Sequence, residues 1–329
     1  MKNKFWNIVG LFYTKFVNRM RCGDNREINN WQTFPSDVSY EKYNTINNPI
    51  LPIIQAHTFW HGDIGPKQIF CLKSFLCTQD MKQFEIILWL DGDDCYEKAL
   101  KNAELSSLMT LSNHKIIIKK WDIKKEIIGT PFERKKWYFK WERILPFVAD
   151  DFRIICLYKY GGLYFDLDIM FVKDFIPLLM RGEFVYAWEN QPFANNALLY
   201  FRKGSYLINV VAREMVKHLS SQPWILFKYK NKKLSSLIVY PCSMFDPLWV
   251  GYSSGMPIKT FEEFFRKFDA TFCRDNNIGS YKDFFKGIYA YHWHNNWKAE
   301  IHKDSYFGIF NEEFTKKINN AYLRNNPSI

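Results

Sequence analysis

Between Pro49 and Lys120, short apolar runs alternate with stretches that read as helices, and this alternation restricts the possible fold more than any other feature of the chain. Leu51 to Trp60 reads as a strand. Pro66 then opens a helix through Cys77, where proline at a first-turn position fits because its missing N–H has no intrahelical partner there. Glu85 to Leu90 is a short buried strand, followed by the acidic turn Asp91-Gly92-Asp93-Asp94. This turn is expected to be solvated, with Asp94 capping a helix that runs to about Met109 before a strand at Lys115 to Lys120. Strand, helix, strand, helix implies a parallel sheet covered on both faces. Such sheets bind ligands at the carboxyl ends of their strands. Further along, Pro146 to Tyr160 reads as a helix stopped by Gly161-Gly162, glycine being the usual residue past a last helical turn. Leu163 to Val172, Glu183 to Trp188 and Ala197 to Phe201 read as strands, and Ser205 to Leu219 as a helix capped by Ser205.

Composition narrows the class. At 329 residues, 47% hydrophobic and 24% charged, the chain is long enough for one large α/β domain with a packed core. The net charge of +11 favours anionic partners: nucleotide phosphates, nucleic acid or an acidic membrane surface. No basic run is dense enough for a nucleic-acid tail and no zinc-finger spacing occurs, so nucleic acid is set aside. Seven cysteines lie scattered without a Cys-x-x-Cys pair, several inside apolar runs, which suits buried thiols in a reducing cytoplasm. At the N-terminus Phe5, Ile8, Val9, Phe12 and Phe16 share a helical face flanked by Lys2, Lys4, Lys15, Arg19 and Arg21. The segment is too short for a membrane span, which needs ~20 apolar residues. It fits equally an interfacial anchor on the anionic inner face of a membrane and a helix packed on the domain. The expected organisation is an amphipathic helix and linker over 1–48, a catalytic domain over 49–300 and a helical tail over 301–329.

The chemistry concentrates at Asp166-Leu167-Asp168. On one strand Asp166 and Asp168 point to the same side, while Leu163, Phe165, Leu167 and Ile169 take the other. Two converging carboxylates are costly unless something positive lies between them. A hard divalent cation, held by carboxylates, phosphate oxygens and water, supplies it. A solvated strand end is the bland alternative, and the apolar surroundings argue against it. On the preceding helix Asp150 and Arg153 stand three apart and share a face. They are either a surface ion pair or a carboxylate and guanidinium beside the Asp pair, ready for phosphate or sugar hydroxyls. Asn195 and Asn196 read as turn residues or as contacts for a sugar, and Glu189 stands where an acceptor would approach.

The run Asp150-Asp151-Phe152-Arg153, then Leu157-Tyr158-Lys159-Tyr160-Gly161-Gly162-Leu163-Tyr164-Phe165-Asp166-Leu167-Asp168, resembles the signature of the DXD-containing sugar transferases. These include capsular and lipopolysaccharide glycosyltransferases and the glucosyltransferase domain of large clostridial toxins. His57-Thr58-Phe59-Trp60-His61-Gly62 resembles the family's opening His-x-x-Trp-x-Gly strand. His292-Trp293-His294-Asn295-Asn296-Trp297 resembles its closing His-x-x-x-Ser-Trp segment, with Asn296 in place of Ser. An amide there can still bond phosphate. The resemblance implies a GT-A fold, a Rossmann-like mostly parallel sheet flanked by helices. It also implies an Mn²⁺ or Mg²⁺ ion, a nucleotide-sugar donor such as a UDP-sugar, and transfer with retention of anomeric configuration. By the same resemblance Asp168, Asp166 and His292 would hold the metal. Trp60 would stack on the base, Asp150, Arg153 and Asp166 would hold the donor, and Trp297 would close over the diphosphate.

The acceptor implied is a glycan, glycolipid or other hydroxyl compound, as in synthesis of cell-surface polysaccharide or lipopolysaccharide. A toxin-like protein glycosyltransferase and a non-catalytic sugar-nucleotide-binding protein are the alternatives on the same fold. A haloacid-dehalogenase-type phosphatase also uses Asp-x-Asp, but it requires Thr or Val where this chain has Met170. Retention allows double displacement or same-face attack. Glu189 is not read as a nucleophile and no other carboxylate stands out as one, which favours same-face attack.

Overall fold

The computed structural model describes residues 52–140, 145–189, 191–249, 257–267, 280–285 and 287–325. The N-terminal helix and linker expected over 1–48 lie outside these, as do Cys22 and Cys273. In chain order the principal elements are β1 (Ile54–Trp60), α1 (Pro66–Thr78), β2 (Phe84–Asp91), α2 (Gly92–Leu100), α3 (Ala103–Leu111) and β3 (Ile116–Trp121). Then come α4 (Leu145–Tyr160), β4 (Gly162–Phe165), β5 (Ile169–Phe171), β6 (Phe184–Ala187), β7 (Ala194–Phe201) and α5 (Tyr206–His218). Last are β8 (Ile238–Tyr240), β9 (Ala290–His292) and α6 (Tyr306–Asn325).

Seven strands form one sheet in the order β3-β2-β1-β4-β7-β6-β8. It is parallel from β3 through β4 and between β6 and β8, and antiparallel where β7 meets β4 and β6. Side-chain alternation feeds a core on each face. Ile86, Leu88 and Leu90 of β2 with Leu163 and Phe165 of β4 pack on the side of α1 and α6. Ile87, Trp89 and Tyr164 pack on the side of α4 and α5. This is the covered α/β sheet that the alternating pattern implies. Among the described cysteines, Cys71, Cys95, Cys156 and Cys242 are buried free thiols. No helix among the described residues is long and apolar enough to cross a membrane.

Three local expectations change. The acidic turn does not cap through Asp94: Asp91 stands at the N-cap of α2 without a side-chain cap bond, and its carboxylate pairs with His61 Nδ1 at 2.8 Å. The single helix expected to Met109 breaks at Asn102, whose side chain accepts from Leu105 N (2.9 Å) and donates to Ile64 O (2.8 Å). A side chain that satisfies both a new helix start and a loop carbonyl makes two short helices better bonded than one long one. The third change concerns the site itself. Leu163 to Val172 is two strands. Asp166 N still donates to Ala197 O of β7 at 2.9 Å, but the chain then leaves the main sheet. β5 pairs instead with β9 in a separate antiparallel ladder whose register sets Ile169 opposite His292.

The entry to β4 depends on two glycines. Gly161 (φ +70°) and Gly162 (φ +99°) both lie in the left-handed region that favours glycine. A Cβ on Gly162 would also run into the carbonyl oxygen of Gln55, and one on Gly161 into the backbone of Lys203. The same corner is tied from β1. His57 Nε2 bonds Gly161 O at 3.0 Å, and Trp89 Nε1 donates to His57 Nδ1 at 3.2 Å. Accepting at Nδ1 leaves the ring proton on Nε2, so His57 is neutral. Burial, with Lys119 nearby, takes its pKa down to about 4 against the raising effect of the Gly161 bond.

A histidine held neutral in the fold stabilises it fully above pH 6.5, and that contribution fades as the unfolded chain takes up a proton between pH 6.5 and about 4. Over that window the wild type should lose about 3 kcal/mol more unfolding free energy than a His57→Gln variant. Urea titrations at a series of pH values measure the difference.

Candidate active site

The cleft lies beyond the ends of β1, β4 and β7, where parallel α/β sheets collect ligands. Its volume is ≈ 550 Å³. Of the residues singled out from sequence, Trp60, Asp150, Arg153, Asp166, Asp168, Asn196, His292 and Trp297 all line it. Eight positions spread over more than two hundred residues of sequence thus meet in one space.

Arg153 is the centre of one half. Nη2 lies 3.2 Å from Asp166 Oδ1 and 3.5 Å from Asp150 Oδ1, while Nη1 donates to Asn196 O at 2.8 Å and Nε to Ala149 O at 3.2 Å. The guanidinium also sits over the Tyr164 ring, 4.9 Å from its centroid. Asp150 receives two further donors, Asn196 Nδ2 (2.8 Å) and Gln222 Nε2 (2.7 Å). The pair is therefore buried and networked. Burial raises Arg153's cost as a cation, but the surrounding Asp166, Tyr164, Asp150 and Asp168 together outweigh it and hold the group protonated. Asp166 moves the other way: burial pushes its carboxyl above the usual range, Asp168's charge adds to this, and Arg153 opposes it. Tyr164 O–H donates to the same carboxylate.

His292 organises the other half. Its Nε2 lies 3.2 Å from Asp168 Oδ1. The β5–β9 ladder dictates this closeness, and Trp293 N donates to Asp168 O at 3.0 Å while Asn295 N donates to Asp168 Oδ2 at 2.7 Å. Burial alone would raise the Asp168 carboxyl, yet His292 and these bonds hold it down at about 2. His292 is in turn pushed well above its ordinary value by Asp168 and Asp246, against a burial effect that lowers it. Asp166, Asp168 and His292 each offer one atom within 4.8 Å of the others, a group that could hold a metal ion. Asp246, His292 and His294 form a second such group.

The mouth is aromatic. Trp60 and Trp297 meet edge to face, their centroids 4.6 Å apart, so the two tryptophans assigned separately from sequence form one wall. Lys67 on α1 ties this wall down: its Nζ donates to the carbonyls of Asn296, Trp297 (3.0 Å) and Ala299 (2.6 Å). Burial lowers its pKa to about 8. Asn296 does not face the cleft as a phosphate donor. Its Nδ2 is spent on the carbonyls of Trp293 (2.5 Å) and His294 (3.2 Å), within its own turn. Glu189 is not among the cleft-lining residues either; Trp188 occupies that stretch of wall. Sequence reasoning missed Gln222, Trp224, His61 and Asp246. Gln222 and Trp224 lie at a one-turn helix, Pro223–Leu226, without a motif, His61 fills an unspecified position of the His-x-x-Trp-x-Gly segment, and Asp246 follows a short 3₁₀ turn, Cys242–Met244, that no periodicity marks.

The cleft thus receives its Asp-x-Asp turn at the edge of a mostly parallel sheet flanked by helices. Residues 70–185 match the family model of the glycosyltransferase sugar-binding region containing DXD motif. No curated protein sequence matches the chain. Among solved structures it is similar to the PaToxG glycosyltransferase, at 17% identity over 68% of this chain and 76% of that one, with a TM-score of 0.40. It is similar also to the apo-form glycosyltransferase GlyE of Streptococcus pneumoniae TIGR4, at 13% identity over 83% and 64% of the two chains, with a TM-score of 0.41. A third is the galactosyltransferase LgtC in complex with donor and acceptor sugar analogs, at 13% identity over 81% and 96%, with a TM-score of 0.42.

Removing Arg153 would leave Asp150 and Asp166 facing each other without a cation. Arg153→Met should therefore destabilise the ligand-free protein by about 3–5 kcal/mol, the cost of stranding buried charge. Chemical denaturation of the two proteins checks it.

Proposed function

We propose that the protein transfers a sugar from a nucleotide diphosphate donor, a UDP-sugar, to a hydroxyl of a glycan or glycolipid, in a reaction that depends on a divalent cation and retains anomeric configuration. The observation that carries this reading is the convergence of Asp166, Asp168 and His292 in the cleft that Trp60 and Trp297 wall. Asp168 Oδ1 and His292 Nε2 stand 3.2 Å apart, near the ~3.0 Å between adjacent ligands on an ion with bonds of about 2.1 Å. A mixed carboxylate and imidazole set favours Mn²⁺ over Mg²⁺, which prefers oxygen ligands alone. The second group of possible ligands is a poorer fit for a donor-bound ion, because Asp246 is fully buried and does not line the cleft.

When bound, the cation supplies charge that stabilises the departing diphosphate. The rest of the work falls to the chain's own residues. Asp168 and His292 face the diphosphate end of the cleft, and the Trp60–Trp297 wall offers planar faces for the base. Asp150, held by Asn196, Gln222 and Arg153, is a preset acceptor for sugar hydroxyls. Because its partners already fix it, little reorganisation is needed when the sugar arrives. Asp150, Asp166 and Asp168 are the carboxylates that line the cleft among the described residues, and each is engaged by a donor or cation. That supports same-face attack by the acceptor over a carboxylate nucleophile. The net charge of +11 suits the anionic donor, and is compatible with an acceptor carried at an anionic membrane surface inside the cell. The fully formed acidic and histidine set weighs against a binding protein that has lost its catalytic groups.

A panel of nucleotide sugars incubated with Mn²⁺, with release of nucleoside diphosphate as the readout, tests the reading. At least one UDP-sugar should turn over, EDTA should abolish the signal, and Asp168→Asn should lower it by a hundredfold or more. Turnover that survives both EDTA and Asp168→Asn would refute the metal assignment.

A further inference from the structure

Asp246 has no part in the site as read so far, yet it is completely buried and its two oxygens are spent on the site's histidines. Oδ1 accepts from His294 Nε2 at 2.7 Å. Oδ2 lies 3.4 Å from His292 Nδ1 and accepts from Tyr186 O–H at 3.2 Å, and the Tyr186 oxygen stands 3.3 Å from the same Nδ1, so carboxylate and hydroxyl bracket that nitrogen together. A fully buried carboxylate is expensive unless something requires it there. The main chain pins this contact as well: His292 N donates to Phe245 O at 3.1 Å, and Asp246 N to Cys242 O at 2.7 Å. The rings of His292 and His294 stack with centroids 3.8 Å apart, both against the same carboxylate, and Trp249 backs His294 at 4.5 Å. His292 is thereby gripped on three sides. Its fourth side, Nε2, points to Asp168 and the cleft.

An imidazole ligates a metal only through a nitrogen that carries no proton, and the hydrogen bond at the other nitrogen decides which one that is. A carboxylate at Nδ1 keeps the proton there and leaves the Nε2 lone pair free. We propose that Asp246 is the positioning residue of the cation site: it fixes His292 as the Nδ1–H tautomer and aims Nε2 at an ion shared with Asp168. The proposal rests on the metal-dependent reading above. His294 closes the carboxylate's other oxygen and, by stacking, stops the His292 ring from turning out of line. Asp246→Asn is nearly isosteric. Its amide can donate to Nδ1, which favours the tautomer with the proton on Nε2, and that tautomer cannot ligate.

The test is Mn²⁺ binding to the full chain with UDP present, followed by the electron paramagnetic resonance signal of free Mn²⁺. Asp246→Asn should weaken Mn²⁺ binding by about 10- to 100-fold, with circular dichroism unchanged. Asp168→Asn serves as the reference that removes a direct ligand. If Asp246→Asn binds Mn²⁺ within threefold of the wild type while Asp168→Asn does not bind, the positioning role is wrong and the metal site stands. If the wild type itself takes up no Mn²⁺ with UDP, both fall. Wild-type protein loaded with Co²⁺ and UDP gives a second readout that needs no Asp246 variant to fold. Its proton spectrum should show a shifted, slowly exchanging Nδ1–H that is lost in His292→Gln. Its absence from the loaded wild type would overturn the proposal.

Discussion

The site stands on a problem of buried charge. Asp150, Asp168 and Asp246 are buried and Asp166 partly so, all grouped around one cleft floor. Each carboxylate taken from water costs several kcal/mol unless a partner offsets it. The structure meets this with two cations in different settings. Arg153, permanently charged and forked, bridges Asp150 and Asp166 on the helix side. His292 bridges Asp168 and Asp246 on the β5–β9 side. Only the second bridge uses a group that can give up its proton, and that is where a metal ion can take the proton's place.

The backbone is shaped to deliver these partners. Gly161 and Gly162 let α4 end and β4 begin within a few ångströms of β1, which sets Arg153 behind the aspartates. The chain then leaves the main sheet at Asp166, and β5 recruits β9 from more than a hundred residues downstream. His292 reaches Asp168 through that ladder. The aromatic wall depends on another long-range tie, from Lys67 on α1 to the carbonyls after Asn296.

Much of this was legible in the sequence, for reasons that can be stated residue by residue. Apolar patterning placed most strands and helices through α5, but read α2 and α3 as one helix and β4 and β5 as one strand, and the glycine pair marked the corner correctly. Asp150, Arg153, Asp166, Asp168 and Asn196 were found because they crowd into two neighbouring segments with clear local geometry. His292, Trp60 and Trp297 came from resemblance, since no spacing links residues so far apart. The grouping of the two aspartates was anticipated, but for the wrong cause: they converge across a turn between two sheets and do not alternate along one strand. Asp246 and Gln222 were not legible. Gln222 acts through one contact, to Asp150, and Asp246 through contacts to His292, His294 and Tyr186, all long-range and from irregular segments, and such contacts leave no local period to read.

The central claim is that Asp168 and His292 share one cation. Anomalous diffraction from crystals grown with Mn²⁺ and UDP tests it most directly. A single strong peak is expected within about 2.2 Å of both Asp168 Oδ1 and His292 Nε2, on the cleft side, with His292 Nδ1 still facing Asp246. UDP bound in the cleft without an anomalous peak there, or a peak seated between Asp246 and His294, would contradict it.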